Sequence, residues 1–405
     1  MGKMSKRQRM QQRRRRRMMR RAGMAALSLV FVCALAVIGY ALLKSEPQPQ
    51  SAYYIENEDT EVLAPPIVVE NEDKYADMTD EEIAKLFAPE AQPTVPPMDV
   101  AMFTLTAVGD CTLGGATSGK SYERFQEVVT HEGVDYFFEN IRPIFEKDDL
   151  TLINFEGTLT TSTDKRDNRP FNFKGAPENL GIVSGSSVEV ATLANNHAFD
   201  YKQQGFDDTV AALEGAGIAT CGFGQSSIVE ANGVDVGFLG FTEWDYSIKE
   251  IQSEIRAMKE NCDVLVVSMH WGKEKEYKAT DEQVELAHAV VDAGADLVIG
   301  HHPHVVGGIE NYKGVQILYS LGNFCFGGND NPYDTDAFVY QQTFVMGADG
   351  IASTSAKLYP ISVSSTTVTN NYQPVLLHGE DASRVLKKFG KNSEPEALAL
   401  IEVVE

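Results

Sequence analysis

An α/β fold is predicted for the chain from Ala101 onward, and two observations carry the prediction. Short β-rich apolar runs alternate there with amphipathic helical stretches, the pattern of strands joined by helical crossovers. Almost every predicted strand also runs directly into a short segment dense in Asp, Glu, Asn or His. Sites in α/β sheets gather beyond the carboxyl ends of the strands, where adjacent loops converge. At 405 residues, 43% hydrophobic and 23% charged, the chain is long enough for a sizeable core. These values exclude uniform disorder, a collagen-like fibre and a disulfide-dense mini-protein.

Residues 1–23 read as a basic cytoplasmic tail, with eleven Lys or Arg and no acid among the first 21. Met24 to Leu43 is an unbroken run of 20 residues without a charge, the length a helix needs to cross the hydrocarbon core. With the cations before it and only Lys44 just after, the N-terminus is expected inside and the rest outside the cell membrane, single-pass. A cleaved signal peptide would have an apolar region of roughly 7–15 residues and a small-x-small site. Here the run is longer, ends in Leu42-Leu43-Lys44, and places its one Ala-x-Ala, Ala34 and Ala36, mid-membrane. A buried soluble helix would leave the flanking cations unexplained. Residues 44–100 form an acidic, Pro-rich linker that includes Pro65-Pro66 and Pro96-Pro97. It is expected to be extended and solvated, with a short helix over Thr79 to Phe87.

Within the domain expected over residues 101–362, the strand candidates are Phe103–Val108, Leu150–Ile153, Val188–Leu193, Val234–Gly240, Asp263–Ser268, Asp296–Ile299 and Val315–Tyr319. Helical patterns lie between them at Tyr122–Thr130, Gly205–Gly215 and Asp281–Ala293. Two later strands, Gln342–Met346 and Ser353–Tyr359, are expected to close a second sheet. Residues 363–405 read as a C-terminal extension with a small helix over Asp381–Phe389. Cys33 lies in the expected anchor, and Cys111, Cys221, Cys262 and Cys325 have neither zinc-finger nor disulfide-framework spacing.

The strand ends carry the chemistry. They read Gly109-Asp110, Asn154-Phe155-Glu156, Asn195-Asn196-His197-Ala198-Phe199-Asp200, His270-Trp271-Gly272-Lys273-Glu274, His301-His302-Pro303-His304 and Ser320-Leu321-Gly322-Asn323-Phe324. Five of the eight histidines fall in these segments. Neutral imidazole mixed with carboxylate and amide oxygen suits Mn, Fe or Zn, whereas calcium prefers oxygen alone. Taken singly each motif is weak, since Gly-Asp after a strand is usually a turn. Their shared placement is what points to one cleft.

As an ordered set, these motifs resemble the CapA family of capsule-synthesis proteins, which belongs with the calcineurin-like metallophosphoesterases. The resemblance runs from about Phe103 to about Tyr340. It implies a four-layer α/β/β/α sandwich and a link to capsule or poly-γ-glutamate synthesis or attachment. It also implies metal ligation by Asp110, Glu156, Asn196, His270, His302 and His304, with one or two divalent transition ions. Glu156 stands where the superfamily has a bridging aspartate. His197 matches the histidine thought to protonate a leaving group, with Asp200 placed to orient it; helix capping is the competing role for Asp200. One departure is plain: where superfamily phosphatases have Asp-x-His, the third position here is Thr112.

Lys165, Arg166, Arg169 and Lys174 surround Phe171 and Phe173 in an otherwise acidic domain. They suit an anionic polymer such as poly-γ-glutamate or another cell-envelope polymer; the alternative is a flexible loop whose phenylalanines pack on the core. Arg169, Lys174, Glu274 and Asn323 are the candidate substrate contacts, Glu274 alternatively a partner of His270 or a solvated charge. A net charge of −23 argues against nucleic acid. Two readings follow: a metal-dependent hydrolase or transferase acting outside the cell, or a non-catalytic subunit of a membrane synthase or export complex.

Overall fold

The computed structural model describes residues 101–167 and 169–404. The expected tail, anchor and linker lie outside the described residues. Among those described, no helix is long and apolar enough to cross a membrane.

The first predicted strand lies within Met102–Thr112, which pairs in parallel with Leu150–Phe155. Parallel pairing continues to Val190–Thr192 and then Ala219–Cys221. A second sheet sets Val234–Thr242, Val264–His270, Leu297–His301 and Val315–Leu318 in parallel, with antiparallel strands Ser227–Ala231 and Ile309–Tyr312 at its edges. Parallel strands covered on both faces require continuous apolar runs, and Val264 to Val267 is one, buried throughout. Their side chains sort by the two-residue period. Val264 and Val266 face a core shared with Phe103, Leu152 and Phe338 of the first sheet, while Leu265 and Val267 face helices.

Helices cover the outer faces. Ser121–Glu132 and Lys202–Gly215 pack on the first sheet through Phe125, Phe206 and Leu213. Ile248–Lys259 and Asp281–Ala293 cover the second through Ile251, Ile255, Leu286 and Val290. The sequence reading missed Ile248–Lys259, although its capping box is visible: Ser247 accepts from the Glu250 backbone, and the Glu250 carboxylate accepts in return from the Ser247 backbone.

One expectation needs correction. The strands foreseen at Gln342–Met346 and Ser353–Tyr359 exist, within Asp336–Gly347 and Gly350–Ser362, but they extend the first sheet rather than close a second. Phe344 stacks on Phe103 at 5.0 Å, and Phe338 and Tyr340 enter the shared core, so burial is greatest beside Met102–Thr112. Residues beyond 362 add to this sheet: Val375–Leu376 and Ile401–Val403 both pair with Gly350–Ser362. Helix Gly379–Gly390 buries Ala382, Val385 and Phe389, while Arg384 and Lys388 hold Asp336.

Candidate metal centre

Parallel register brings the strand ends together. Asp110 lies beside Asn154 and Asn323 on its neighbours in the first sheet, and His270 lies beside His301 in the second. Both sheets present their carboxyl ends on one side, so the two sets meet.

Asp110 is fully buried and is the joint between them. Its Oδ1 accepts from Asn154 Nδ2 at 2.8 Å, and its Oδ2 accepts from the His302 backbone at 3.2 Å. His304 Nδ1 stands 2.9 Å from Oδ2 and His301 Nδ1 3.3 Å from Oδ1. Burial opposes ionisation here, but His301 and His304 outweigh it and hold the carboxyl well below the usual carboxylate range.

Glu156 is buried just as completely, with its backbone tied to Cys111 at 2.8 Å and to the Thr112 hydroxyl at 2.7 Å. The Thr112 hydroxyl is therefore engaged with the backbone. Neither carboxylate oxygen of Glu156 has a hydrogen-bond partner. The nearest imidazole nitrogens are His304 Nε2 at 3.7 Å and His197 Nε2 at 3.9 Å from Oε1. Burial pushes the Glu156 carboxyl well above its ordinary value, against the opposing pull of His304. An orphaned buried carboxylate is costly and calls for a cation.

The histidines divide by charge. Burial, then His302, keeps His270 well below its usual pKa. His270 Nε2 lies 3.0 Å from Asn196 Oδ1, and its Nδ1 3.4 Å from Asn154 Nδ2. Burial and then His304 lower His302 to about 4, and its Nδ1 is buried without a partner. Against the cost of burial, Glu156 and Asp110 raise His304 to about 10. Neutral His270 and His302 are in the ligand form. His302 and His304 have φ of 96° and 57°, uncommon for residues with a Cβ, and the strain turns both rings inward around Pro303.

Ligand atoms of Asp110, Glu156 and His270 lie within 4.8 Å of one another, a possible metal-binding triad. With the partnerless Glu156 oxygens and the neutral imidazoles, this donor set fits a divalent transition ion.

Beside the triad, His197 Nδ1 is 2.6 Å from Asp200 Oδ2, which also accepts the Phe173 backbone N–H at 2.6 Å. The Phe173 ring stacks on His197 at 4.1 Å. Helix Lys202–Gly215 begins without a side-chain cap, so Asp200 serves His197 and not the helix.

The candidate substrate contacts separate. Arg169 lines a cleft of about 500 Å³ with Arg166, Asn196, Trp244 and His302. Lys174 does not: its Nζ donates to the Ser162 carbonyl at 3.0 Å and sits 5.0 Å over the Tyr201 ring. Asn323 is buried, its Oδ1 2.9 Å from His304 Nδ1, where it orients that ring. Glu274 is exposed, and both nitrogens of His270 face asparagines instead. Phe173 packs in a small core with Ala116 and Phe326, whereas Phe171 remains exposed.

Sequence reasoning gave no individual role to Asn154, Asn195 or His301, and it overlooked Trp244. Asn195 donates to the Phe155 carbonyl at 2.8 Å and to Asn154 Oδ1 at 3.2 Å, and it accepts from the His197 backbone at 3.1 Å. Both asparagines stood inside the polar strand-end segments, which was the available signal. Trp244 follows the one strand end, at Thr242, whose polar segment Thr242-Glu243-Trp244-Asp245 was not singled out.

Comparison with known proteins agrees with this arrangement of motifs. The family model described as bacterial capsule synthesis protein PGA_cap matches residues 104–328. The chain is 33% identical over 252 residues to the capsule biosynthesis protein CapA of Bacillus anthracis, covering 55% of this chain and 59% of that protein. It is 34% identical over 246 residues to the PGA biosynthesis protein CapA of Bacillus subtilis (strain 168), covering 54% and 62%. The chain thus spans about three-fifths of the length of these curated relatives. A crystal structure of a hypothetical protein from Thermus thermophilus is distantly similar, with TM-score 0.41 and 15% identity over 64% of this chain and 99% of that one. The chain belongs to the bacterial capsule synthesis protein (PGA_cap) family.

Proposed function

We propose that the protein is a membrane-anchored, extracytoplasmic metal-dependent hydrolase or transferase acting in capsule or poly-γ-glutamate synthesis or attachment. The observation that carries this is Glu156, a buried carboxylate without a partner among imidazoles at the meeting point of two sheets. The layering supports a four-layer sandwich of the calcineurin-like metallophosphoesterase type. The names of the relatives support a polymer-related role.

Asp110, Glu156, Asn196, His270, His302 and His304 would hold one or two ions of Mn, Fe or Zn, which supply Lewis-acid polarisation of an attacked amide or phosphoryl oxygen. His197 is the acid–base group. Asp200 holds Nδ1, which leaves Nε2 facing Glu156. The Phe173 ring shields that pair from water on one side. Thr112, in place of an imidazole, favours a second reading, a non-catalytic subunit of a membrane polymer complex with a structural metal site.

Elemental analysis and assays on poly-γ-glutamate and a model phosphodiester separate the two readings. Bound transition metal and turnover are expected in wild type, and His270→Ala and His302→Ala are expected to lose metal. Wild-type metal content in both variants sinks the ligand assignment; metal without turnover supports the second reading. For topology, protease added to wall-stripped intact cells is expected to remove everything from Ser45 onward and leave the basic tail. Protection of the domain would reverse the orientation.

A further inference from the structure

One wall of the cleft takes no part in the chemistry just proposed. Arg166 and Arg169 line it with Phe199, Phe223 and Trp244, and it ends at His302. Neither guanidinium forms an ion pair or side-chain hydrogen bond among the described residues, although the chain carries a net charge of −23. Asp245, also on this wall, is engaged by the Thr242 hydroxyl, which donates to its Oδ2 at 2.6 Å. Arg166 has a fixed origin: its N–H donates to the Asp200 carbonyl at 2.8 Å, and its own carbonyl accepts from Asn172 at 3.2 Å. The arginine is therefore anchored on the residue that orients His197. Trp244 is 50% exposed and meets the His302 ring edge-on at 4.9 Å.

Unpaired guanidinium groups in an acidic domain are receptors for anionic oxygens, which they bind in a planar fork. The exposed face of Trp244, with the partly buried rings of Phe199 and Phe223 beside it, suits an apolar stem. A ligand satisfying both has carboxylates spaced along a methylene chain. Inorganic phosphate offers no stem, and this net charge disfavours nucleic acid.

We propose that this wall is the binding subsite for an acidic polymer. Arg166 and Arg169 take carboxylates next to the bond presented to His197, and Trp244, Phe199 and Phe223 cover the intervening methylenes. The proposal rests on the reading that the cleft processes such a polymer, and it specifies what recognises the chain.

The protein has two tryptophans, Trp244 half exposed and Trp271 fully buried, so emission reports on Trp244 against a buried reference. Titrating the full-length protein with a short γ-linked glutamate oligomer is expected to change emission saturably. Arg166→Gln and Arg169→Gln are each expected to weaken Kd about tenfold or more, because hydrogen bonds to charged groups contribute about 1.5–3 kcal/mol. The lysine variants, which keep charge but lose the fork, are expected to fall between. Rising salt is expected to weaken wild type more than the double glutamine variant. No emission change in wild type, an unchanged Kd in a folded double variant, or equally tight binding of pyrophosphate would overturn the subsite. Arginine-dependent binding without turnover keeps the subsite and sinks the hydrolase reading. Turnover with an unchanged KM in the double variant does the reverse.

Discussion

His197→Ala is expected to lower turnover by about 10²–10⁴-fold, the usual contribution of a general acid–base group, while bound metal stays at the wild-type level. The geometry separates the two effects. His197 spends Nδ1 on Asp200 at 2.6 Å, and its Nε2 is 3.9 Å from the nearest Glu156 oxygen, beside the triad of Asp110, Glu156 and His270. Asp200→Asn is expected to act in the same direction, because an amide can turn its NH2 toward Nδ1 and no longer selects one tautomer and orientation of the ring. Its buried contact with the Phe173 backbone makes thermal stability a necessary control. Turnover on poly-γ-glutamate, elemental analysis and a melting curve for each variant suffice. Equal loss of metal in His197→Ala would make this residue a ligand. Full activity would remove it from the chemistry and favour the non-catalytic subunit.

Glu156→Gln is expected to lose metal and activity together and to change stability in opposite directions with and without metal. In chelator-treated protein the variant should be the more stable, because it no longer buries a carboxylate whose two oxygens lack partners. With metal present the order should reverse: saturation at 100 times Kd contributes about 2.7 kcal/mol to wild type alone. The pH dependence has a definite sign. The folded-state pKa of Glu156 is raised, so its proton favours the metal-free fold at low pH, and that contribution is lost as pH rises through the raised value. A cation must displace this proton and the one held by His304, so metal affinity should rise with pH. Melting temperatures of both proteins across pH, with and without added Mn or Zn, test it. Identical melting behaviour of the two proteins under metal would remove Glu156 from the site.

Part of the candidate metal centre was legible in the sequence, the triad of Asp110, Glu156 and His270. Asp110, Glu156, Asn196, His197, His270, His302 and His304 each follow an apolar run, and parallel strands leave their carboxyl ends on one side whatever the details of packing. Asp281–Ala293 was legible for a similar local reason, with a Thr280 capping box at its start and Gly294 at its end.

What the amino-acid sequence by itself determined, then, is everything that depends on neighbours in the chain: the α/β alternation, the residue types at the strand ends and the extra methylene of Glu156. Tertiary structure decided what depends on partners far away. Sheet membership of Asp336–Gly347 follows from pairing with a strand more than two hundred residues earlier, which no local pattern encodes. Asp110 takes its hydrogen bonds from Asn154 and His302, 44 and 192 residues away, and only register brings them within reach. Lys174 and Arg169 look alike in the sequence, yet Tyr201 and the Ser162 carbonyl hold one while the other lines the cleft. Long side chains settle where desolvation and a partner balance, and that balance exists only once the sheets have met.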